Sequence, residues 1–219
     1  MTFVLALCLV FLLFPLIALI AALSWLSGMR QVFYCDQRVG QGGRLFTMWK
    51  FRTMRDVAEG QARDAYDKAR VTRLGLWLRR YRLDELPQLY NVLRGDLNLV
   101  GMRPPLPSYV RDHPQVYAGL LEARPGLTGL ASVRFHQRED ALMAAAPSAQ
   151  AAKAVHAKRC LPVKARLDRF YLTHRSLWLD CWILVQTLCV FLPNGGVLGV
   201  QGPRAIGRET RASALPALS

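Results

Sequence analysis

The chain has 219 residues, enough for one domain with a real core and too few for a second full one. A formal net charge of +14 and a pI of about 10.3 point to an anionic partner: nucleic acid, anionic lipid or a phosphorylated substrate. The five cysteines include no CxxC pair and have no histidine at ligand spacing, which excludes a disulfide framework or zinc site and fits free thiols in a reducing cytoplasm.

Apolar residues make up 52% of the sequence, and they concentrate at its start. From Phe3 to Leu26 there is no charged residue, a run long enough as a helix to cross a hydrocarbon core of ~30 Å. No Lys or Arg precedes it, it is long for a signal-peptide core, and no small-residue cleavage site follows, so we expect it to be retained. Pro15, near its middle, removes one helical hydrogen bond and clashes with the preceding turn. A kinked spanning helix and a re-entrant helix–break–helix both fit that position. Arg30, Arg38, Arg44, Lys50 and Arg52 follow the run, which puts its C-terminal side in the cytoplasm.

Gln31-Val32-Phe33-Tyr34-Cys35 reads as a strand, and the Gly40-Gln41-Gly42-Gly43 turn leads into a second, Arg44 to Phe51. Alternation places Arg44, Lys50 and Arg52 on one face, opposite Leu45, Trp49 and Phe51. Residues 55–70 are polar and charge-mixed, a surface loop or exposed helix.

Leu74, Trp77, Leu78 and Tyr81 form one helical stripe, and Leu86, Leu89, Tyr90 and Leu93 form another. The phase breaks between them at Arg82-Leu83-Asp84-Glu85. Pro87 suits the first turn of the second helix, Asp84 reads as its N-cap and Gly95 as its stop. The two carboxylates then lie at a helix start, where free N–H groups favour anions. An Asp there ordinarily just caps. Its charged surroundings, with Arg79, Arg80 and Arg82 before it and Arg103 after, add a second reading: an ionised acid pair that shares a divalent cation with phosphate oxygens. Leu97 to Val100 reads as a short strand, and Gly101-Met102-Arg103-Pro104-Pro105 as a stiff loop that restrains Arg103.

Residues 140–157 are Ala-rich, a variable helix or loop in which His156 reads as a surface residue without a nearby partner. Val163 to Leu192 is one long helical pattern mixing Arg and His with Phe170, Tyr171, Trp178 and Trp182, a composition suited to the membrane interface. Asp180 and Gln186 interrupt it, so it lies on the bilayer rather than crossing. Asp168 within it reads as an ordinary ion-pair partner. After Pro193 the chain reads as a flexible tail.

These residues resemble one family, the monotopic phosphoglycosyl transferases or bacterial sugar transferases. The motifs that carry the resemblance are WKFRTM (49–54), RLDELPQLYNVLRGDLNLVGMRPP (82–105), RPGLTGLASV (124–133) and LDRFYLTHRSLWLD (167–180). The resemblance runs from Phe3 to about Leu192, most of the chain. The resemblance implies a mostly helical α+β protein with a membrane-inserted helix at 1–29, re-entrant and broken at Pro15. A catalytic domain at 30–192 follows, with a small β-hairpin and amphipathic interfacial helices, and then a tail at 193–219. It implies a transferase (EC 2.7.8 type) that moves a sugar-1-phosphate from a UDP-sugar to a membrane polyprenyl (undecaprenyl) phosphate, as the first membrane step of bacterial exopolysaccharide, O-antigen, lipopolysaccharide or glycoprotein assembly. Asp84 matches the nucleophile that carries the phosphosugar, and Glu85 the Mg2+ ligand. Lys50, Arg79, Arg103 and Asp168 match other polar site positions, with substrate- or phosphate-binding roles. The expected place is the bacterial inner membrane, with the catalytic domain on the cytoplasmic face, anionic lipid as a neighbour and a homo-oligomer compatible. No nucleic acid is expected as a partner.

Several positions depart from the family pattern. The basic residues and Asp that usually precede the apolar run are missing, Phe14 replaces the Ser before Pro15, Arg82 replaces a small polar residue, and Met102 replaces the first Pro of its loop. Arg134 to Glu139 also differ from the commonest form, so a sugar preference does not carry over. Two alternatives stand beside the transferase: a membrane-anchored basic module that binds anionic lipid or nucleic acid without catalysis, and a transferase fold that has lost turnover.

Overall fold

A computed structural model describes residues 2–29, 31–55 and 70–189. The expected loop or exposed helix at 55–70 falls almost wholly outside these residues, and the tail at 193–219 entirely so. The fold is mostly helical with two small sheets, the α+β class that the sequence implies. The chain divides into two compact units: residues 1–99, 104–114 and 121–127 form the first, and 100–103, 115–120 and 128–219 the second.

The first unit begins with α1 (Thr2–Leu26), one helix with Pro15 inside it. By length and composition it is able to cross a membrane, and almost all of its most apolar stretch is exposed. Phe11 and Leu12 are each 74% exposed, more apolar surface than a water-facing helix tolerates. The half after Pro15 packs on the hairpin and the helices that follow it: Leu16, Ile17, Ile20 and Ala21 lie with Phe51, Leu78, Leu83 and Leu86. Gly28, at φ 82°, ends the helix in the left-handed conformation that glycine adopts freely.

β1 (Phe33–Val39) and β2 (Leu45–Phe51) form the expected antiparallel hairpin, with Tyr34 opposite Lys50 and Val39 opposite Leu45. Its turn needs two left-handed residues, and both are glycine, Gly42 and Gly43. The faces of β2 differ from the alternation read above. Leu45 is 57% exposed, whereas Phe46 and Met48 are buried, on the same parity as Lys50. Phe51 is buried on the opposite parity, against α1, so β2 is apolar on both sides and simple alternation misassigns it.

α2 (Arg73–Arg80) and α3 (Gln88–Leu93) are the two predicted helices. Thr72 caps α2 by accepting the Gly75 amide at 2.9 Å. Gly95 follows α3 at φ 81° as the expected stop. β3 (Asn98–Val100) and β4 (Gly126–Thr128) make the second sheet. The Asn98 amide donates to Pro125 O in the first unit, and the Gly101 amide to Thr128 O in the second, both at 2.8 Å. Two short helices, α4 (Pro107–Asp112) and α5 (Pro114–Tyr117), come between these strands in sequence.

The second unit is built on α6 (Leu130–Ala144), α7 (Ala149–Val155), α8 (Leu161–Thr173) and α9 (Leu177–Cys189). A π-helical turn, His156–Cys160, joins α7 to α8. The long helix expected from Val163 to Leu192 is thus two helices. The interruption is at 174–176, where the Ser176 hydroxyl accepts the Leu179 amide at 3.2 Å and starts α9 afresh.

Candidate functional site

The expectation that Asp84 caps a helix is corrected by the backbone. Leu83, Asp84 and Glu85 form a 3-10 turn, and α3 begins only at Gln88 with Pro87 as its cap. The turn follows Arg82 at φ 52°, the one left-handed residue other than glycine among the described residues. That conformation reverses the chain after α2, and the amide of Glu85 then closes the turn on Arg82 O at 3.2 Å. Asp84 and Glu85 are half-buried at this corner. Arg82 Nη1 lies 3.9 Å from Glu85 Oε2, an ion pair one turn apart.

Leu83 and Leu86 bracket the acid pair and point into the cluster formed by α1, Phe51 and Leu78. The carboxylates therefore ride on a turn whose apolar side is fastened to α1. The same turn packs on β2, which carries half-buried Lys50. Arg79 is exposed near the end of α2, and its Nε donates to Thr53 Oγ1 at 2.8 Å. Thr53 is itself buried, and its carbonyl accepts the Thr72 amide at 3.0 Å. Gly75 makes this closeness feasible, because a Cβ there would stand 2.2 Å from Thr53 O. Asn91, fully buried, ties α3 to β2: its Oδ1 accepts the Trp49 amide at 3.1 Å, and its Nδ2 donates to Thr47 O at 2.8 Å. Four predicted residues, Lys50, Arg79, Asp84 and Glu85, are thus placed by one frame of strand, turn and two helices.

Arg103 and Asp168 belong to the second unit. Arg103 is half-buried after Met102, whose side chain is buried. Within the first unit, Pro104 O accepts from Arg38 Nη1 at 3.2 Å and Pro105 O accepts the Val39 amide at 3.0 Å, so the two prolines that follow Arg103 are held in place.

Asp168 is buried in α8 at 6% exposure. Burial pushes its carboxyl up to about 7, against the opposing pull of Lys164 one turn earlier. His156 is not the partnerless surface residue expected, since its Nε2 lies 3.1 Å from Glu139 Oε1. Lys164 Nζ reaches the same carboxylate at 2.9 Å. Burial by itself would raise Glu139, but His156 and Lys164 outweigh it and hold the carboxyl at about 2.

No group of three or more His, Cys, Asp and Glu that would hold a metal occurs among the described residues. The adjacent Asp84 and Glu85 suit a different donor set. Mg2+ commonly takes one or two carboxylates and completes its shell with water and substrate phosphates, so this pair fits an ion that arrives with a diphosphate.

The model of the bacterial sugar transferases matches residues 1–194. The chain belongs to that family. It is similar to the uncharacterised sugar transferase EpsL of Bacillus subtilis, 34% identical over 76% of this chain and 72% of the relative. An undecaprenyl-phosphate glucose phosphotransferase of Komagataeibacter xylinus is 32% identical over 80% of this chain, and an N-acetylgalactosaminephosphotransferase of Aeromonas hydrophila acting on undecaprenyl phosphate is 34% identical over 83%. The chain spans only 32% and 40% of those two longer relatives.

Sequence reasoning missed Thr53, Gly75 and Asn91. Each had a faint signal: Thr53 lies inside the WKFRTM motif, Gly75 interrupts a helical stripe, and Asn91 is a polar residue between Tyr90 and Val92. Their roles depend on approaches between segments far apart in sequence, which local pattern does not report.

Proposed function

We propose that this sugar transferase moves a sugar-1-phosphate from a UDP-sugar to a polyprenyl phosphate at the cytoplasmic face of the bacterial inner membrane, in assembly of a surface glycan. The observation that carries the reading is the seat of the acid pair. Asp84 and Glu85 occupy a turn fastened through Leu83 and Leu86 to an exposed apolar helix, so a water-soluble donor and a lipid acceptor are able to meet there. The activities for which the Komagataeibacter and Aeromonas relatives are named support the same substrate classes.

In the first step an Asp84 carboxylate oxygen attacks the β-phosphorus of the UDP-sugar. The bond from that phosphorus to the oxygen bridging to the α-phosphate breaks, and UMP leaves with the bonding electrons. The phosphosugar is now an acyl phosphate on Asp84. In the second step an oxygen of polyprenyl phosphate attacks the same phosphorus, the bond to Asp84 breaks, and the carboxylate is restored as polyprenyl-diphosphate-sugar departs. Glu85, with Asp84 beside it, would hold Mg2+, which when bound neutralises charge on the diphosphate oxygens. Lys50 and Arg79 supply fixed positive charge toward the transferring phosphate, and Thr53 orients Arg79 through the 2.8 Å bond. We assign Arg103 and Asp168 to the same substrate, by family position. A re-entrant placement of α1, bent at Pro15, belongs to this reading, since it keeps both ends of the helix and the site on one face of the membrane.

The test is UMP release from a panel of UDP-sugars, with polyprenyl phosphate and Mg2+. Asp84→Asn keeps the shape of the turn and removes the nucleophile, so release should fall on the order of a thousandfold or more. Full activity in folded Asp84→Asn protein would sink the assignment.

A further inference from the structure

α9 is apolar but for Asp180, Gln186 and Thr187, and the chemistry above uses none of the three. Two of them, Asp180 and Thr187, lead to the same place in the second unit, the residues just before Arg103. The hydroxyl of Thr187 has one hydrogen, which goes to Ile183 O at 2.8 Å, one turn back in α9. The 2.8 Å bond between Thr187 Oγ1 and Thr128 Oγ1 is therefore donated by Thr128. Thr128 is buried at the end of β4, so this bond fixes its side chain. Its carbonyl in turn accepts the Gly101 amide at 2.8 Å. Gly129 lets the two backbones meet, because a Cβ there would stand 2.0 Å from Gly101 O. Gly101 is thus held at its amide and confined at its carbonyl.

Asp180 makes the second link. Its Oδ1 accepts the Tyr171 hydroxyl at 2.6 Å, and the same hydroxyl lies 3.4 Å from Val100 O. Tyr171, Val100 and Met102 are all buried, so the chain is packed up to the residue before Arg103. Valine would fill the space of either threonine. What the hydroxyl pair adds is a fixed direction between β4 and α9.

We propose that Thr128 and Thr187 are positioning residues for Arg103: α9 holds Thr128, Thr128 holds Gly101, and Gly101 sets where the loop delivers the arginine. This rests on the transferase reading, in which Arg103 meets the substrate. An arginine binds phosphate through a rigid fork of donors that works only in a narrow geometry. A misplacement of about 1 Å, caused far from the reacting atoms, costs on the order of a hundredfold in rate. The loop that carries such a residue therefore has to be held, and a bond of fixed direction to a helix holds it better than apolar packing alone.

The test is a double-mutant cycle on UMP release in the full chain. Thr187→Val keeps the volume, removes the acceptor and should lower release about tenfold, while Thr187→Ser should restore it. Arg103→Ala alone should lower release about a hundredfold. Added to Arg103→Ala, Thr187→Val should cost less than about twofold more, because no guanidinium is left to misplace. Ser148→Ala removes the 3.1 Å cap on the Ala151 amide of α7, and as a control for lost stability it should leave release unchanged. If Thr187→Val fails to fold, Thr128→Val, which leaves no unpaired donor, takes its place in the cycle. An equal loss in both backgrounds, or an equal loss in Ser148→Ala, means general loosening and overturns the proposal, as does undiminished release in Thr187→Val. In parallel, hydrogen exchange in a peptide that includes residues 100–103 should be roughly tenfold faster in Thr187→Val than in the wild type or Thr187→Ser, and unchanged exchange overturns the tie. If no protein releases UMP, or Arg103→Ala releases it like the wild type, the transferase reading or the place of Arg103 in it fails, while the exchange result still decides whether the threonine pair holds the loop.

Discussion

Asp84 and Glu85 in the first unit, and Asp168 and Glu139 in the second, are the same two residue types in opposite surroundings. The first pair occupies a half-buried corner that begins at a left-handed Arg82, with apolar neighbours on one side only. Of the second pair, Asp168 is enclosed in α8 with its carboxyl raised to about 7, and Glu139 is tied by His156 and Lys164 and held at about 2. The proposed nucleophile needs a corner that substrate can approach, whereas Glu139 is held between two cations inside the helical unit. A carboxyl with a midpoint near neutrality is suited instead to holding or releasing a proton. The difference is therefore one of backbone, since a half-buried corner and a helix interior give the same side chain different chemistry.

The harshest way to break the contrast is to disturb the frame of the first unit without touching its charges. Gly75→Ala puts a Cβ 2.2 Å from Thr53 O and 2.9 Å from its carbonyl carbon and Cα, all of them backbone atoms that cannot swing aside. Overpacking of this kind costs about 1–3 kcal/mol or more, against a gain of about 1 kcal/mol from better helix propensity. We expect a net loss of stability and a larger loss of UMP release, because Arg79 moves with α2. Thermal unfolding in detergent and single-turnover assays measure the two effects. A neutral Gly75→Ala would mean that α2 is not fixed on Thr53.

The second unit should show its difference in pH. Unfolded, Asp168 releases its proton near 3.8, whereas the folded carboxyl keeps it up to about 7. Between those values the folded state binds more protons than the unfolded one, so this residue lowers stability progressively as pH rises through that window. Glu139 has the opposite sign: its folded value of about 2 lies below its ordinary 4.5, so its contribution is present above 4.5 and fades as pH falls toward 2. Asp168→Asn should flatten the upper slope and leave the acid limb, while Glu139→Gln should do the reverse. Urea unfolding followed by tryptophan fluorescence across pH reads both. An Asp168→Asn protein with the wild-type slope above pH 4 would show that burial does not govern that carboxyl.

The sequence made the first unit easier to read than the second, for physical reasons. The apolar run, the glycine turn at 40–43 and the two stripes flanking Arg82 are local patterns, and all appear as α1, the hairpin, α2 and α3. The acid pair and Lys50 fall on elements that pack together, the 3-10 turn and β2, and both elements lie within motifs visible in the sequence. The two-sided burial of β2 was not legible, because Phe51 meets α1 while Phe46 and Met48 face the other way. The His156–Glu139 contact crosses 17 residues and a π-helical turn, beyond any periodicity rule. The break at 174–176 had a visible cue: Ser176 stands four residues before Asp180 at the head of an apolar run, where a helix start competes with continuation.

The smallest expected effect bears on Arg82, whose presence beside the acid pair had no explanation from sequence. Its φ of 52° is a left-handed conformation, which costs a residue with a side chain roughly 1–2 kcal/mol. A glycine would relieve that strain but adds freedom to the unfolded chain, worth roughly 0.5–1 kcal/mol in the other direction, and it gives up the 3.9 Å contact to Glu85. Arg82→Gly should therefore stabilise the protein by less than about 1 kcal/mol. Arg82→Ala removes the same guanidinium and keeps the strain, so it should gain nothing. If both variants release UMP like the wild type, Arg82 serves only to turn the chain. If both lose activity together while Arg82→Lys keeps it, the charge beside Glu85 positions that carboxylate, and a residue that costs the fold stability is kept for the chemistry of the turn it begins.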